Sequence, residues 1–213
     1  MELLALSPLL DLRLADCLSV MREMPDNAYD LAIVDPPYGR SEDGGTNRNH
    51  GVKQRNGKVL LCRDGGYQAK GWDKKTPPLE YFEELRRVSK HQIMWGINYY
   101  PVDVVRYMWR GMMQGVSIAQ GTIQQGNKAL NEKRIHPTQK PVKLYEWLLD
   151  TYAKPGDRIL DTHMGSGSIA IACHYRGHPL TAVEIDADYY TAAVQRIERE
   201  TRQLSLFNKN KSE

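Results

Sequence analysis

Asp35-Pro36-Pro37-Tyr38 ends a short apolar run, Leu31 to Val34, and brings together a carboxylate, proline carbonyls and an aromatic ring. Two successive prolines cannot donate to a strand ladder, so the chain turns rigidly there, and the first of them keeps Asp35 extended. The product is a fixed cup at the carboxyl end of a strand. Its acceptors suit the N–H groups of an exocyclic amine, and Tyr38 offers a face for stacking a planar ring. A plain Pro-Pro turn with Tyr38 packed on the surface would explain the same residues, so the stretch needs a second constellation to carry a function.

That constellation lies near the other end of the chain. Arg158-Ile159-Leu160-Asp161 reads as a strand, Thr162-His163-Met164-Gly165-Ser166-Gly167-Ser168 as a turn, and the apolar stretch beyond as a helix. Gly165 and Gly167 let the backbone approach a ligand closely at a helix N-terminus, where N–H groups point outward. Glu184 closes the next strand about twenty residues on, the spacing at which an acidic side chain reaches a ribose diol. There is no third glycine for a dinucleotide and no Gly-Lys-Ser or Gly-Lys-Thr for a nucleoside triphosphate. A smaller adenosine ligand with an amino-acid end remains, and S-adenosylmethionine fits that description. Between the two constellations, Arg134-Ile135-His136-Pro137-Thr138-Gln139-Lys140-Pro141 holds polar groups in an extended loop bracketed by prolines. On its own this loop reads equally as the cap of the helix after it. His136 has no Cys or second His at ligand spacing, and no metal site is expected.

Strands and helices must position these groups. Met1 to Leu14 ends in alternation and predicts an edge strand leading to Asp16-Cys17, and Leu18 to Met24 has helical spacing. The Leu31–Val34 run predicts a strand buried on both faces. Leu79 to Val88 predicts a helix with proline at its start, and Gln92 to Trp95 a short strand before Gly96-Ile97-Asn98-Tyr99-Tyr100. Val142 to Ala153 predicts a further helix. Strand Arg158–Asp161, helix Ser168–Arg176, strand Leu180–Glu184 and helix Asp188–Glu200 complete the order, with a frayed polar tail from Leu204. Alternating strands and helices imply an α/β fold, a parallel sheet covered on both faces. Gly39 to Gly71 shows no period and is too long for an ordinary connection.

Composition narrows the class. The 213 residues suit one domain with a substantial core, possessing 41% hydrophobic residues as an ordinary globular chain does. A net charge of +3 is too small to demonstrate a nucleic-acid partner, although Arg40 to Lys75 clusters Lys and Arg in a way that could track a phosphate backbone. Cys17, Cys62 and Cys173 cannot all pair with one another, which points to a reduced cytoplasmic setting. No apolar run approaches the ~20 residues that span a membrane.

With the Asp35-Pro36-Pro37-Tyr38 motif first, the His136 to Pro141 segment next and the Gly165 turn last, the chain resembles the beta class of DNA amino-methyltransferases. The resemblance implies a Rossmann-like methyltransferase fold with circularly permuted motif order, S-adenosylmethionine as cofactor, and transfer of its methyl group to a flipped base in DNA. It implies catalytic roles for Asp35, Pro36, Pro37 and Tyr38. On the cofactor side it implies Asp16 and Cys17 at the adenine, and Asp161, Gly165, Ser166, Gly167 and Ser168 around the methionine moiety. Glu184, with Ile185 and Asp186, would hold the ribose side, Thr138, Gln139 and Lys140 would close over the methionine end, and His136 and Asp35 would complete the pocket. Asp at the first motif position, where Ser is common in cytosine enzymes of the class, favours the N6 amine of adenine over the N4 amine of cytosine. Thr162 and His163 depart from the Pro and Phe usual at those positions. One methyltransferase domain over residues 1–203 is implied, with DNA-recognition loops at 40–75 and 106–131, a site of short or relaxed specificity, and action as a monomer or homodimer. A methyltransferase acting on RNA or protein, and an idle nucleic-acid-binding partner subunit, are the competing readings. Only Pro101 to Val104 separates Tyr100 from a segment that the class usually reaches through two further strands. Four residues span at most ~14 Å and cannot form that pair, so either the sheet has lost its far edge or the sequence as given omits residues of the molecule there, and omission is the expectation.

Overall fold

The computed structural model describes residues 7–40, 52–53, 59–60, 70–101, 103, 135–136 and 139–208. Seven strands occur among them: β1 (Leu10–Leu14), β2 (Tyr29–Val34), β3 (Val52–Lys53), β4 (Val59–Leu60), β5 (Ser89–Met94), β6 (Ile159–Asp161) and β7 (Leu180–Glu184). The helices are α1 (Cys17–Arg22), α2 (Leu79–Val88), α3 (Val142–Tyr152), α4 (Ser168–Arg176) and α5 (Ala187–Asn208).

Five strands form one sheet in the order β1-β7-β6-β2-β5, every pair parallel. β2 lies inside it, between β6 and β5, which is why the Leu31–Val34 run is apolar on both sides. Its side chains alternate between two cores. Leu31 and Ile33 pack with Leu148, Leu149 and Ile171 of α3 and α4 and with Ile197 of α5. Ala32 and Val34 pack with Met21 of α1 and with Phe82 and Leu85 of α2. Helices therefore cover both faces, as the alternation of strands and helices requires.

Most predicted boundaries agree with the structure to within a few residues. β5 begins at Ser89, three residues before the expected Gln92, because α2 passes into it without a loop. Lys90 and His91 hide this start, since among the described residues β5 is an edge strand and those two side chains are exposed. α5 runs to Asn208, past the frayed tail expected from Leu204, because no glycine or proline interrupts the chain after Ala187. The stretch Gly39 to Gly71, without a period in sequence, contains the antiparallel pair Val52–Lys53 with Val59–Leu60. Residues 106–131 and the link between Tyr100 and Arg106, where an omission was expected, lie outside the described residues apart from Pro101 and Asp103. No helix among the described residues is long and apolar enough to cross a membrane.

Candidate active site

β2, β6 and β7 all deliver their carboxyl ends to one cavity of 520 Å³, within the range usual for ligand sites. Asp35 to Tyr38 form one wall. Asp35 has both carboxylate oxygens engaged: Tyr38 Oη donates to Oδ1, and Lys140 Nζ is ion-paired with Oδ2. The Pro36 carbonyl accepts from Tyr100 Oη at 3.0 Å and keeps its second lone pair. Burial, and after it the neighbouring Asp35 charge, pushes the Tyr38 phenol up. The phenol therefore stays a donor at ordinary pH.

Four outside residues bear on this turn. Asp73, 1% exposed, accepts the Tyr38 N–H at 2.6 Å and the Gly39 N–H at 2.9 Å on one oxygen. Gly96, at φ +66°, lies directly against the Tyr38 ring, and a Cβ there would overlap three ring atoms. Tyr99 and Tyr100 pack on the same ring, with centroids 5.2 and 6.2 Å away. Tyr99 is 45% exposed, and the Arg40 guanidinium lies 4.9 Å over it, so an aromatic and cationic surface borders the cup.

The opposite wall is the glycine turn after β6. Glu184 accepts the Gly165 N–H at 2.8 Å and the Asp186 N–H at 2.9 Å, one on each oxygen. The carboxylate is thus fixed in orientation while it still borders the cavity. Burial raises its pKa against those two N–H groups. Gly165 and Ser166 line the cavity; Gly167 and Ser168 do not. A Cβ at Gly167 would meet Ile197 at 2.8 Å, so this glycine serves the packing of α4 on α5. Ser168 Oγ donates to the Lys140 carbonyl at 2.7 Å. Asp161 also stands behind the wall, accepting the His163 N–H at 2.9 Å.

Burial raises Asp161 from 3.8 to about 7, against the opposing His163 N–H. The folded chain therefore keeps a proton that the unfolded chain releases, and stability falls as pH rises from about 4 to about 7. Asp161→Asn keeps an oxygen for His163 and is expected to stabilise the protein by ~4 kcal/mol at pH 8. The gain should vanish near pH 4. Melting curves across that range check this, and a gain independent of pH would contradict it.

The remaining predicted residues surround the same cavity. The Asp16 carboxylate caps α1 through the Ser19 N–H at 2.8 Å, and the neighbouring Cys17 thiol is pushed by burial to about 12, which leaves it unreactive. Asp186 caps α5 through the Asp188 and Tyr189 N–H groups, and also takes Lys70 Nζ at 2.6 Å. Ile185 is 65% exposed at the rim. His136 is wedged between Trp72 and Tyr189, with ring centroids 5.5 and 4.4 Å away, and burial pulls it down to about 4. It is a neutral packing ring there. Gln139 turns inward to accept the Ile135 N–H at 2.9 Å, while Thr138 lies outside the described residues.

Thr162 and His163, the two departures from the expected pattern, form a polar string behind the turn. Tyr81 Oη meets Thr162 Oγ1 at 2.6 Å, and Thr162 Oγ1 meets His163 Nδ1 at 2.9 Å. Burial lowers His163 to about 4, so a neutral imidazole fills the position. Sequence reasoning missed Trp72, Asp73, Tyr81, Tyr99 and Tyr100 as site residues. The signals available were Trp72-Asp73 just before Pro77-Pro78, and the paired tyrosines after Gly96.

A family model described as DNA methylase matches residues 94–195. The chain is 23% identical over 233 residues to Type II methyltransferase M.HpaI of Haemophilus parainfluenzae, covering 87% of this chain and 73% of that protein. It is 25% identical over 212 residues to YubD of Escherichia coli strain K12, covering 85% and 87%. The solved structure of the M1.HpyAVI–SAM complex superposes with a TM-score of 0.50 at 16% identity, covering 88% of this chain and 98% of that one. The fold is an α/β methyltransferase fold, and the family match and the sequence relatives support a DNA methylase family.

Proposed function

We propose that the protein is a DNA methyltransferase that transfers a methyl group from S-adenosylmethionine to the exocyclic N6 amine of adenine. One observation carries this reading. The Asp35 carboxylate and the Pro36 carbonyl, two acceptors suited to the two N–H bonds of one amine, border the same cavity as the Gly165 turn and Glu184.

The residues present fit such a cofactor. Glu184 is held by two backbone N–H groups with lone pairs left for ribose hydroxyls. Gly165 brings backbone without a side chain, and Ile185 offers an apolar face at the rim. When bound, the cofactor supplies an electrophilic methyl group on a sulfonium. Asp35 and Pro36 do the rest. The amine of adenine is a poor nucleophile because its lone pair is delocalised into the ring. Accepting its two N–H bonds favours a pyramidal nitrogen with the lone pair free to attack, and stabilises the positive charge that develops there. The methylated nitrogen must then shed one proton, and Asp35 is the carboxylate in reach. A base paired inside a duplex cannot reach these groups, so it is flipped out, and the Tyr38 hydroxyl yields Asp35 Oδ1 as its ring stacks on the base.

The test is methylation of a long DNA in vitro, with the modified bases mapped by sequencing. Methyl groups on N6 of adenine support the reading; methyl groups on N4 of cytosine, or none, overturn it. A mapped site no longer than about five base pairs is expected, because residues 40–75 and 106–131 leave little chain for reading bases, each of which needs its own contacts. Glu184→Ala is expected to weaken cofactor binding by ~1–3 kcal/mol, since the ribose hydroxyls lose a charged acceptor. Calorimetric titration checks this, and unchanged affinity would remove Glu184 from the cofactor site.

A further inference from the structure

Lys140 belongs to both halves of the cavity. Its ammonium is ion-paired with Asp35 Oδ2 and lies 4.9 Å from the centre of the Trp95 ring. Its carbonyl accepts from Ser168 Oγ at 2.7 Å, and Arg196, 3% exposed, donates to the same Ser168 oxygen at 2.9 Å. The backbone at residue 140 is therefore fastened to the start of α4 beside the glycine turn. Its side chain reaches across to the catalytic carboxylate on a flexible four-carbon stem.

This contact conflicts with the chemistry proposed for Asp35. Methyl transfer builds positive charge on an amine held by that carboxylate. A second cation on the same half-buried group repels the developing charge and takes up acceptor capacity that the amine needs. Lys140 has to release Asp35 for the reaction, and a released ammonium in a partly buried cavity needs another anion. The carboxylate at the amino-acid end of the cofactor is the anion expected on the glycine-turn side, where the Lys140 backbone is already anchored.

We propose that Lys140 is a positioning residue that couples the two halves of the site, exchanging Asp35 for the carboxylate of the bound cofactor and so opening Asp35 to the substrate amine. The proposal rests on the function proposed above. It makes cofactor binding a condition for a productive grip on the base, and it gives Lys140 two partners in succession.

The test needs no DNA. S-adenosylhomocysteine carries the amino-acid end without a charged sulfur, and 5′-methylthioadenosine lacks that end. Each is titrated calorimetrically into wild type, Asp35→Asn, Lys140→Met and the double variant. Asp35→Asn should bind S-adenosylhomocysteine several-fold more tightly, because Lys140 no longer has to leave an ionised partner. That gain should vanish when Lys140 is Met, and 5′-methylthioadenosine should bind all four proteins alike. An equal gain in both Lys140 backgrounds would mean that Asp35 merely repels the ligand carboxylate, and would overturn the coupling. No gain at all would overturn it too. Repeating the cycle with Asp35→Ser and Lys140→Gln guards against a variant that fails to fold. A wild type that binds neither nucleoside would overturn the parent function itself.

Discussion

Asp35→Ala is expected to lower the single-turnover rate of methyl transfer about 10²–10³-fold at saturating cofactor, while cofactor binding is no weaker than in wild type. The carboxylate is the charged acceptor in reach of the amine, and a preorganised acceptor aimed at developing charge contributes on this scale. Its neighbours predict the second half of the result. Asp35 is held by Tyr38 and Lys140 and makes no hydrogen bond with the glycine turn. Removing it disturbs the reacting side of the cavity and leaves the Glu184–Gly165 clasp intact. Wild-type turnover by the variant would end the catalytic assignment.

Asp73→Ala is expected to cost about 10²-fold in kcat with little change in cofactor affinity, and Asp73→Asn to restore most of the loss. Asp73 touches neither Asp35 nor the glycine turn through any hydrogen bond described above. It fixes the backbone of Tyr38 and Gly39, and through them the direction in which the cup opens. Without it two N–H groups lose a buried acceptor, and a shift of ~1 Å in a reacting group can cost a factor of this size. Asn presents a carbonyl oxygen that can serve both N–H groups, so the rescue separates positioning from charge. Equal loss in the Ala and Asn variants would show that the charge of Asp73 matters, and a loss matched by global unfolding would show that the residue serves the fold alone. Steady-state rates, melting curves and calorimetry on the three proteins decide among these outcomes.

The parts of the molecule legible in the sequence are those whose signals are local. A buried parallel strand needs an apolar run, and Leu31–Val34 is one. A close-approach turn needs glycine, and Gly165 and Gly167 mark it, although only the first borders the cavity. The groups that hold the Asp35–Tyr38 turn in place gave no such signal. Asp73 is one acid in a polar stretch, and nothing near it in sequence says that its oxygen will serve two N–H groups thirty-odd residues back. The Lys140–Asp35 pair was hidden for the same reason, its partners being 105 positions apart. Gly96 could be read as a turn residue, but its service to the Tyr38 ring depends on β2 and β5 lying side by side. Ser168 was assigned by analogy to a ligand, whereas its hydroxyl braces a loop of the protein itself.

The strand order also has a consequence for how the protein is made. Among the described residues β1 pairs only with β7, and β2 has β6 as one of its two neighbours, so the start of the sheet waits for the last strands. Residues 10–34 leave the ribosome long before residues 159–184. At ~5–20 residues per second, the nascent chain carries Asp35 for on the order of ten seconds before β6 and β7 exist. The wall that holds Asp35 thus emerges first and is completed last. An arrested chain that stops short of β6 would expose the apolar edge of β2 to chaperones, whereas one that has passed β7 carries all five strands of this sheet.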